Sequence, residues 1–115
     1  MMFDLSHQIQ VYHGFVDMRK SINGLCILVS LAQHSFEDGT TFVFFNKNRD
    51  KVKLLLRENN GFVLVYKRLD AGKFKISFES KNAVLLTQKQ LRYLLNGLDD
   101  AHLTRSKNPP PQHYF

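Results

Sequence analysis

The segment KVKLLLRENNGFVLVY, residues 51–66, begins with apolar and basic side chains that alternate along the chain. In residues 51–57, valine and leucine occupy every second position and basic residues take most of the others, with Leu55 as the apolar exception. Asn59-Asn60-Gly61 is typical of a tight hairpin turn, because Asn and Gly tolerate the positive φ angles that such turns require. Residues 62–66 are β-prone and supply the returning strand. The segment therefore predicts a β-hairpin with one apolar and one basic face.

Further strands are predicted on both sides of this hairpin. Upstream, residues 41–45 (TFVFF) are strongly β-prone, and residues 46–50 are rich in turn-forming side chains. Downstream, residues 73–79 alternate between apolar and polar side chains. Near the N-terminus, residues 8–13 alternate as a first strand does. We expect these segments to form an antiparallel meander of about four to five strands.

Two amphipathic helices are also predicted. The first begins near Asp17, a reasonable N-cap, and its apolar stripe is Met18, Ile22, Leu25, Val29 and Ala32. The second begins with a capping box over residues 87–90, in which Thr87 and Gln90 each satisfy a free backbone amide. Its apolar stripe is Leu91, Leu94, Leu95 and Leu98.

The predicted fold class is α+β, with an antiparallel meander and two amphipathic helices packed on one face of it. The opposite face would carry the lysines and arginines. We expect a single domain over residues 1–100. Residues 101–115 include the run NPPP at 108–111 and are predicted to form a disordered C-terminal tail.

The composition predicts a cytoplasmic protein. No apolar run approaches the roughly 18–20 residues that a membrane span needs. Residues 1–10 hold acidic and polar side chains where a signal peptide would have a basic start and an apolar stretch. Cys26 is the single cysteine and cannot form an internal disulfide, which agrees with a reducing compartment. We expect no membrane partner.

The basic charge is concentrated in the middle of the chain. Residues 46–75 carry nine basic and three acidic side chains, so this segment accounts for the whole net charge of +6. One interpretation is a positive patch for nucleic-acid phosphates, built from Lys51, Lys53, Arg57, Lys73 and Lys75. The other is that these side chains keep an exposed sheet soluble and discourage edge pairing. The sequence leaves both interpretations open.

Asp17-Met18-Arg19-Lys20 offers a second candidate site. Helix starts favour acidic residues, because the free first-turn amides carry partial positive charge. Arg19 and Lys20 run against that preference, and a phosphate bound by those amides and both side chains would explain them. The alternative is a pair of solvated surface cations partly offset by Asp17.

Catalytic and metal-binding patterns are weak. The five histidines are scattered, and none lies at metal-ligand spacing from Cys26. Cys26 falls beside the apolar stripe of the first helix, which favours a buried structural thiol over a nucleophile. The few carboxylates fall mostly in predicted turns and caps, and no phosphate-binding glycine loop is present. We therefore expect no enzyme activity, no cofactor, no metal and no small-molecule substrate.

Four blocks of the sequence, in the same order and spacing, resemble the TnpB (Orf2-like) accessory proteins of the IS sixty-six family of bacterial insertion sequences. The resemblance covers about residues 9–100 and is carried by VDMRKSINGL (16–25), FVFFNKNRDKVK (42–53), GFVLVYKRLDAGKF (61–74) and the closing helix (86–99). It implies a protein encoded beside a transposase and assisting the movement of the element. Strand cleavage and joining would belong to the separate transposase.

The chain departs from the family pattern at two places. Family members commonly carry a Trp after the strand at residues 51–56 and a Trp-Pro pair after the position of Phe74. Here those regions read Leu56-Arg57-Glu58 and Lys75-Ile76-Ser77-Phe78. Either this protein contacts its nucleic acid or partner more weakly, or other apolar side chains replace those tryptophans in the core.

The leading hypothesis is a non-catalytic accessory protein of transposition that binds DNA. Its expected phosphate contacts are Arg19, Lys20, Arg49, Lys51, Lys53, Lys67, Arg68 and Lys73. The alternative is a protein-interaction module that docks on the transposase or on another element-encoded protein. Its surface would combine the basic residues with Tyr66, Tyr93 and the prolines at 109–111.

Overall fold

The structure, a computed structural model, describes residues 8–78 and 84–96. In chain order its elements are β1 (Ile9–Phe15), α1 (Ile22–Leu31), β2 (Thr41–Phe45), β3 (Lys51–Glu58), β4 (Gly61–Arg68), β5 (Val84–Leu86) and α2 (Gln88–Leu95). The predicted disordered tail over 101–115 and the predicted helix position Leu98 lie outside the described residues. None of the described helices is long and apolar enough to cross a membrane.

The strands form one mixed sheet in the order β4-β3-β2-β1-β5. The meander β2-β3-β4 is antiparallel, as predicted. β1 pairs with β2 in parallel, and β5 pairs with β1 antiparallel, so the prediction of a wholly antiparallel sheet is wrong. The cause is α1, which carries the chain from the end of β1 back to the starting edge, so that β2 runs in the same direction as β1.

The hairpin at residues 59–61 forms as its sequence predicts. Asn59 adopts a φ of 47°, in the left-handed region that Asn tolerates. The register places Leu55 opposite Leu64 and Lys51 opposite Arg68. β4 therefore extends two residues beyond the predicted strand end at residue 66.

The predicted strand at residues 73–79 is wrong over its described part, because residues 73–78 contain no strand. Phe74 is fully buried, packs edge-on against Phe45, and donates its amide to the carbonyl of Arg49 at 2.6 Å. An extended segment can bury every second, apolar side chain against the core without pairing with another strand, so the alternating pattern at residues 73–78 does not require a strand. The fifth strand is instead Val84–Leu86, beside β1.

The two helices belong to different apolar clusters. Leu25 and Val29 of α1 pack with Phe42 and Phe44 of β2. Leu91 of α2 belongs to a second cluster, whose β2 and β3 members are Val43, Phe45, Val52, Leu54 and Leu56. Successive residues of a strand point to opposite faces, so the clusters lie on opposite sides of the sheet, here called the α1 side and the α2 side. The prediction that both helices share one face is therefore not confirmed.

This arrangement explains two features of the sequence. All five residues of β2, Thr41–Phe45, are buried, because this central strand is covered on both faces. Leu55, the apolar exception on the basic face of β3, belongs to the α1 cluster together with Phe42 and Phe44. The basic face of the hairpin is thus the face that α1 partly covers.

The helix starts differ in how well the sequence predicts them. α2 has the predicted capping box, with the Gln90 amide donating to Thr87 Oγ1 at 3.1 Å and the Thr87 amide donating to Gln90 Oε1 at 2.9 Å. α1 starts at Ile22, later than predicted, and its N-cap Ser21 makes no side-chain capping bond. Asp17 instead accepts the Arg19 amide at 2.9 Å in a preceding turn.

Candidate nucleic-acid interface

An open groove of about 710 Å³ lies between the turn that precedes α1 and the turn that joins β2 to β3. We call it the basic groove. Its walls come from the end of β1 and the following turn, from the turn at residues 46–48, from the start of β3, and from β4. The lining residues are Phe15, Val16, Asp17, Met18, Arg19, Asn46, Lys47, Asn48, Lys51 and Tyr66.

The strand register adds further cations beside this groove. Lys51 pairs with Arg68, and Lys53 pairs with Tyr66. Directly opposed residues of two strands point to the same face, so Arg68 lies next to Lys51 and on the same side as Lys53. Lys51, Lys53 and Leu55 occupy every second position of β3 and therefore point to the same side of the sheet. Leu55 belongs to the α1 cluster, so this is the α1 side.

Lys53 connects the groove wall to the sheet. Its ammonium nitrogen donates to the carbonyl oxygens of Met18 at 2.7 Å and Lys20 at 2.8 Å. It also lies 5.6 Å from the centroid of the Tyr66 ring. The ammonium group thus holds residues 17–20 in place with two of its three donors. Lys53 is a positioning residue of the groove.

Arg19 is paired within its own turn. Its guanidinium donates to both carboxylate oxygens of Asp17, with the shortest contact at 2.7 Å. The side-chain and backbone hydrogen bonds from Arg19 lower the pKa of Asp17 from 3.8 to about 2. Asp17 is therefore ionised at neutral pH and offsets much of the Arg19 charge toward a bound anion.

The turn at residues 46–50 is held by the amide of Asn46. Its Oδ1 accepts the backbone amides of Asp50 and Lys51 at 3.1 and 2.9 Å, and its Nδ2 donates to Asp50 at 2.6 Å. This last hydrogen bond lowers the pKa of Asp50. Lys73 donates to the carbonyl of Asn48 at 2.8 Å and braces the same turn from outside. The turn therefore presents Lys47 from a fixed backbone.

The structure brings together four of the residues predicted to bind phosphates, and they come from three segments of the chain: Arg19, Lys51, Lys53 and Arg68. Lys20 gives its backbone carbonyl to Lys53, and its side-chain stem lies beside Gly24 of α1. Arg49 and Lys73 lie at the turn of residues 46–50. Lys67 is not part of this group. It pairs with Val52 on the α2 side and donates to the carbonyl of Leu95, the last residue of α2, at 2.8 Å.

The cations differ in how far internal contacts engage them. Among residues 8–78 and 84–96, the side chains of Lys20, Arg49 and Arg68 make no hydrogen bond or ion pair. Lys51 makes only a weak ion pair with Asp50, at 3.4 Å. Lys47 of the groove lining also makes no such contact within the described residues, so Lys47, Lys51 and Arg68 have donors available at or beside the groove.

Two features of the groove were not predicted as site residues. Lys47 lies in a segment predicted only as a turn, and its charge was the available signal. Phe15 reaches the groove because β1 changes register between Val11 and Phe15, next to Gly14 at a φ of 115°. Gly14 within a β-prone run was the available sign of an irregular strand.

Tyr93, named for a protein-docking surface, is 2% exposed, so that assignment is wrong.

The other chemically interesting side chain is Cys26. It is half-buried against the α1 cluster, and desolvation raises the pKa of its thiol. A raised pKa lowers the fraction of reactive thiolate. Within the described ranges, no three His, Cys, Asp or Glu side chains are grouped as metal ligands would be.

Comparison with known proteins gives the family. The model of the family described as "IS66 Orf2 like protein" matches residues 7–105. Two similar chains, the uncharacterized proteins y4hO and y4jC, come from Sinorhizobium fredii (strain NBRC 101917 / NGR234). y4hO is 29% identical over 103 residues, covering 89% of this chain and 90% of the relative. y4jC is 32% identical over 96 residues, covering 83% of this chain and 80% of the relative.

No solved structure shows a significant match to the chain. The family match covers all the described strands and helices, together with every residue that lines the basic groove. The chain belongs to the IS66 Orf2-like family, the accessory proteins of insertion sequences.

Proposed function

We propose that this protein is a non-catalytic accessory factor of transposition that binds DNA through the basic groove. The observation that supports the proposal is that basic side chains from separate segments of the chain lie together at this groove. Cations from the turn before α1, from the turn at 46–50 and from strands β3 and β4 meet at one open groove. Charges that only kept the protein soluble would be expected to spread over its surface, with both signs interspersed.

The charge balance of the groove favours a polyanion. Two carboxylates, Asp17 and Asp50, lie among its cations, and each already accepts hydrogen bonds from neighbouring side chains. The cations outnumber them: Arg19, Lys47, Lys51, Lys53 and Arg68. Each phosphate that these side chains neutralise releases condensed counterions from DNA. About five contacts on duplex DNA give a slope of log K against log[salt] of roughly −4.5.

The test is fluorescence anisotropy with labelled DNA at several salt concentrations. The variant Lys51→Gln/Arg68→Gln removes two opposed cations from the groove without removing a hydrogen bond to a backbone carbonyl. Lys75→Gln/Lys89→Gln is the matched control, because it removes the same charge from exposed positions that do not line the groove. Lys75 was predicted to share a strand face with Lys51 and Lys53, but in the structure it lies outside any strand. We expect the first variant to bind DNA more weakly and with a slope shallower by about 2.

The control variant should retain the affinity and slope of the parent within about twofold. A salt slope near zero for the parent, or equal losses in the two variants, would reject the groove as the DNA site. Lys53 is left intact in this test, because its substitution would disturb residues 17–20 rather than remove a single contact.

A second candidate function is docking on the transposase or on another element-encoded protein. It is favoured by Ile27 and Leu31 of α1, which are 59% and 75% exposed and lie one helical turn apart. Co-purification of the two proteins that survives nuclease treatment would support this function. Loss of the complex after that treatment would support bridging by DNA.

A further inference from the structure

Two aromatic side chains of the basic groove are exposed to solvent. Phe15, at the end of β1, is 46% exposed, and Tyr66, on β4, is 51% exposed. Phe15 rests edge-on against Phe78, with ring centroids 4.9 Å apart, and still lines the groove. Large rings normally gain free energy from burial, so two half-exposed rings among cations indicate a surface for a ligand with flat, apolar faces.

Single-stranded DNA combines both kinds of group. Its phosphates match the cations, and its unpaired bases offer π-faces that stack on aromatic side chains. In a duplex the bases are already stacked and paired, and a groove of this kind meets only phosphates and base edges. We infer that the basic groove binds single-stranded DNA, with a base stacked on Tyr66 and the flanking phosphates held by Lys51 and Arg68. This inference rests on the proposed function and specifies the DNA form.

The local geometry suits a single nucleotide. Tyr66 and Arg68 lie two residues apart on β4, as Lys53 and Lys51 do on β3, which is roughly 7 Å along each strand. A nucleotide whose base covers Tyr66 therefore has its phosphate within reach of Arg68 or Lys51. Lys53 lies over the Tyr66 ring, and its ammonium group is held there by the carbonyl oxygens of Met18 and Lys20, so the base would stack on the part of the ring that Lys53 leaves exposed. The contact between Lys53 and the Tyr66 ring is therefore already formed in the protein without DNA.

The test compares a labelled single strand with the duplex of the same sequence, using the parent, Tyr66→Ala and Tyr66→Phe. We expect the parent to bind the single strand more tightly than the duplex. Loss of one stacked base weakens binding by about 5- to 160-fold, so Tyr66→Ala should lose that much on the single strand and less than about twofold on the duplex. Tyr66→Phe keeps the ring and should stay within about threefold of the parent on both.

Intrinsic fluorescence gives an independent readout. The chain has four tyrosines and no tryptophan, so its emission comes from tyrosine alone. A base stacked on Tyr66 quenches part of that emission, and Tyr66→Phe should bind the single strand while losing this part of the quenching. Lys51→Gln/Arg68→Gln should weaken both DNA forms, because both present phosphates.

The outcomes separate this inference from the proposed function. Equal effects of Tyr66→Ala on the two DNA forms, or tighter binding of the parent to the duplex, would overturn the inference and leave DNA binding by the groove in place. No binding of either form at micromolar protein and low salt would overturn the proposed function itself. Tighter binding of an RNA strand of the same sequence would overturn the assignment to DNA.

Discussion

The ammonium nitrogen of Lys53 lies 2.7 Å from the carbonyl oxygen of Met18, although the two residues are 35 positions apart in the chain. The same nitrogen lies 2.8 Å from the carbonyl oxygen of Lys20. One side chain of the sheet thus fixes the turn that precedes α1, and that turn forms one wall of the basic groove.

Replacing Lys53 with methionine should destabilise the fold and loosen this wall. Methionine keeps much of the aliphatic stem but removes both hydrogen bonds, of which one is partly buried and the other is exposed to solvent. A hydrogen bond to a charged group contributes about 1.5–3 kcal/mol, and less where water competes for the donor. We expect the free energy of unfolding, measured by urea denaturation, to fall by about 1–3 kcal/mol. Lys75→Met, at an exposed position, should change it by less than about 0.5 kcal/mol. Equal effects of the two substitutions would show that Lys53 has no clamping role.

Asp17 should titrate far below an ordinary aspartate. Hydrogen bonds from the Arg19 side chain and backbone lower its pKa from 3.8 to about 2. A lowered folded-state pKa stabilises the fold above the ordinary value, and this stabilisation disappears as the pH falls from about 4 through about 2. Carboxyl chemical shifts followed by NMR should give a midpoint near 2 in the parent. Arg19→Gln should move the midpoint back toward 3.8, and an unchanged midpoint would contradict the assigned cause.

The parts of the fold that the sequence predicted are those with local signals. The hairpin depends on Asn59 and its neighbours, and the start of α2 depends on Thr87 and Gln90, all within a few residues of one another. The parallel pairing of β1 with β2 and the short strand β5 depend on partners chosen far along the chain. Alternation at residues 73–78 indicated burial of Phe74, but alternation alone does not supply a strand partner.

The residues of the candidate site also fall into those that local sequence signals predicted and those that depend on distant contacts. Charge concentration predicted where the cations lie in the sequence, and register then places Arg68 beside Lys51. Lys53 and Lys67 differ from these two because each donates to backbone carbonyls of a distant segment. A sequence cannot distinguish a lysine that binds a carbonyl from one that faces solvent, because both occupy polar positions of a strand.

Thr41 should be replaceable by valine with a gain in stability. Thr41 is fully buried, and its hydroxyl oxygen has no hydrogen-bond partner among the described residues. An unsatisfied buried polar group costs about 1–3 kcal/mol, and valine has nearly the same shape. Thr41→Val should therefore raise the free energy of unfolding by about 1 kcal/mol in urea denaturation.

The reverse substitution provides the control for this prediction. Val43 is equally buried, two residues along the same strand and therefore on the same face. Val43→Thr should lower the free energy of unfolding by about 1–3 kcal/mol, because it creates the defect that Thr41→Val removes. A loss of stability in Thr41→Val would mean that the hydroxyl has a partner, such as an ordered water, in solution.

The placement of the helices on opposite sides of the sheet predicts that their core contacts are independent. Leu25 of α1 and Leu91 of α2 are each at most 2% exposed, in separate clusters. Leu25→Val and Leu91→Val each remove one buried methylene group and should each lower the free energy of unfolding by roughly 1 kcal/mol. The double variant should show the sum within about 0.5 kcal/mol, because the sheet separates the two sites.

Leu91→Val combined with Leu54→Val is the control for coupling, because Leu54 belongs to the same cluster as Leu91. Neighbours in one cluster relax into each other's space, so this pair should depart from additivity by more than about 0.5 kcal/mol. Strong coupling between Leu25 and Leu91 would instead contradict the separation of the two clusters by the sheet.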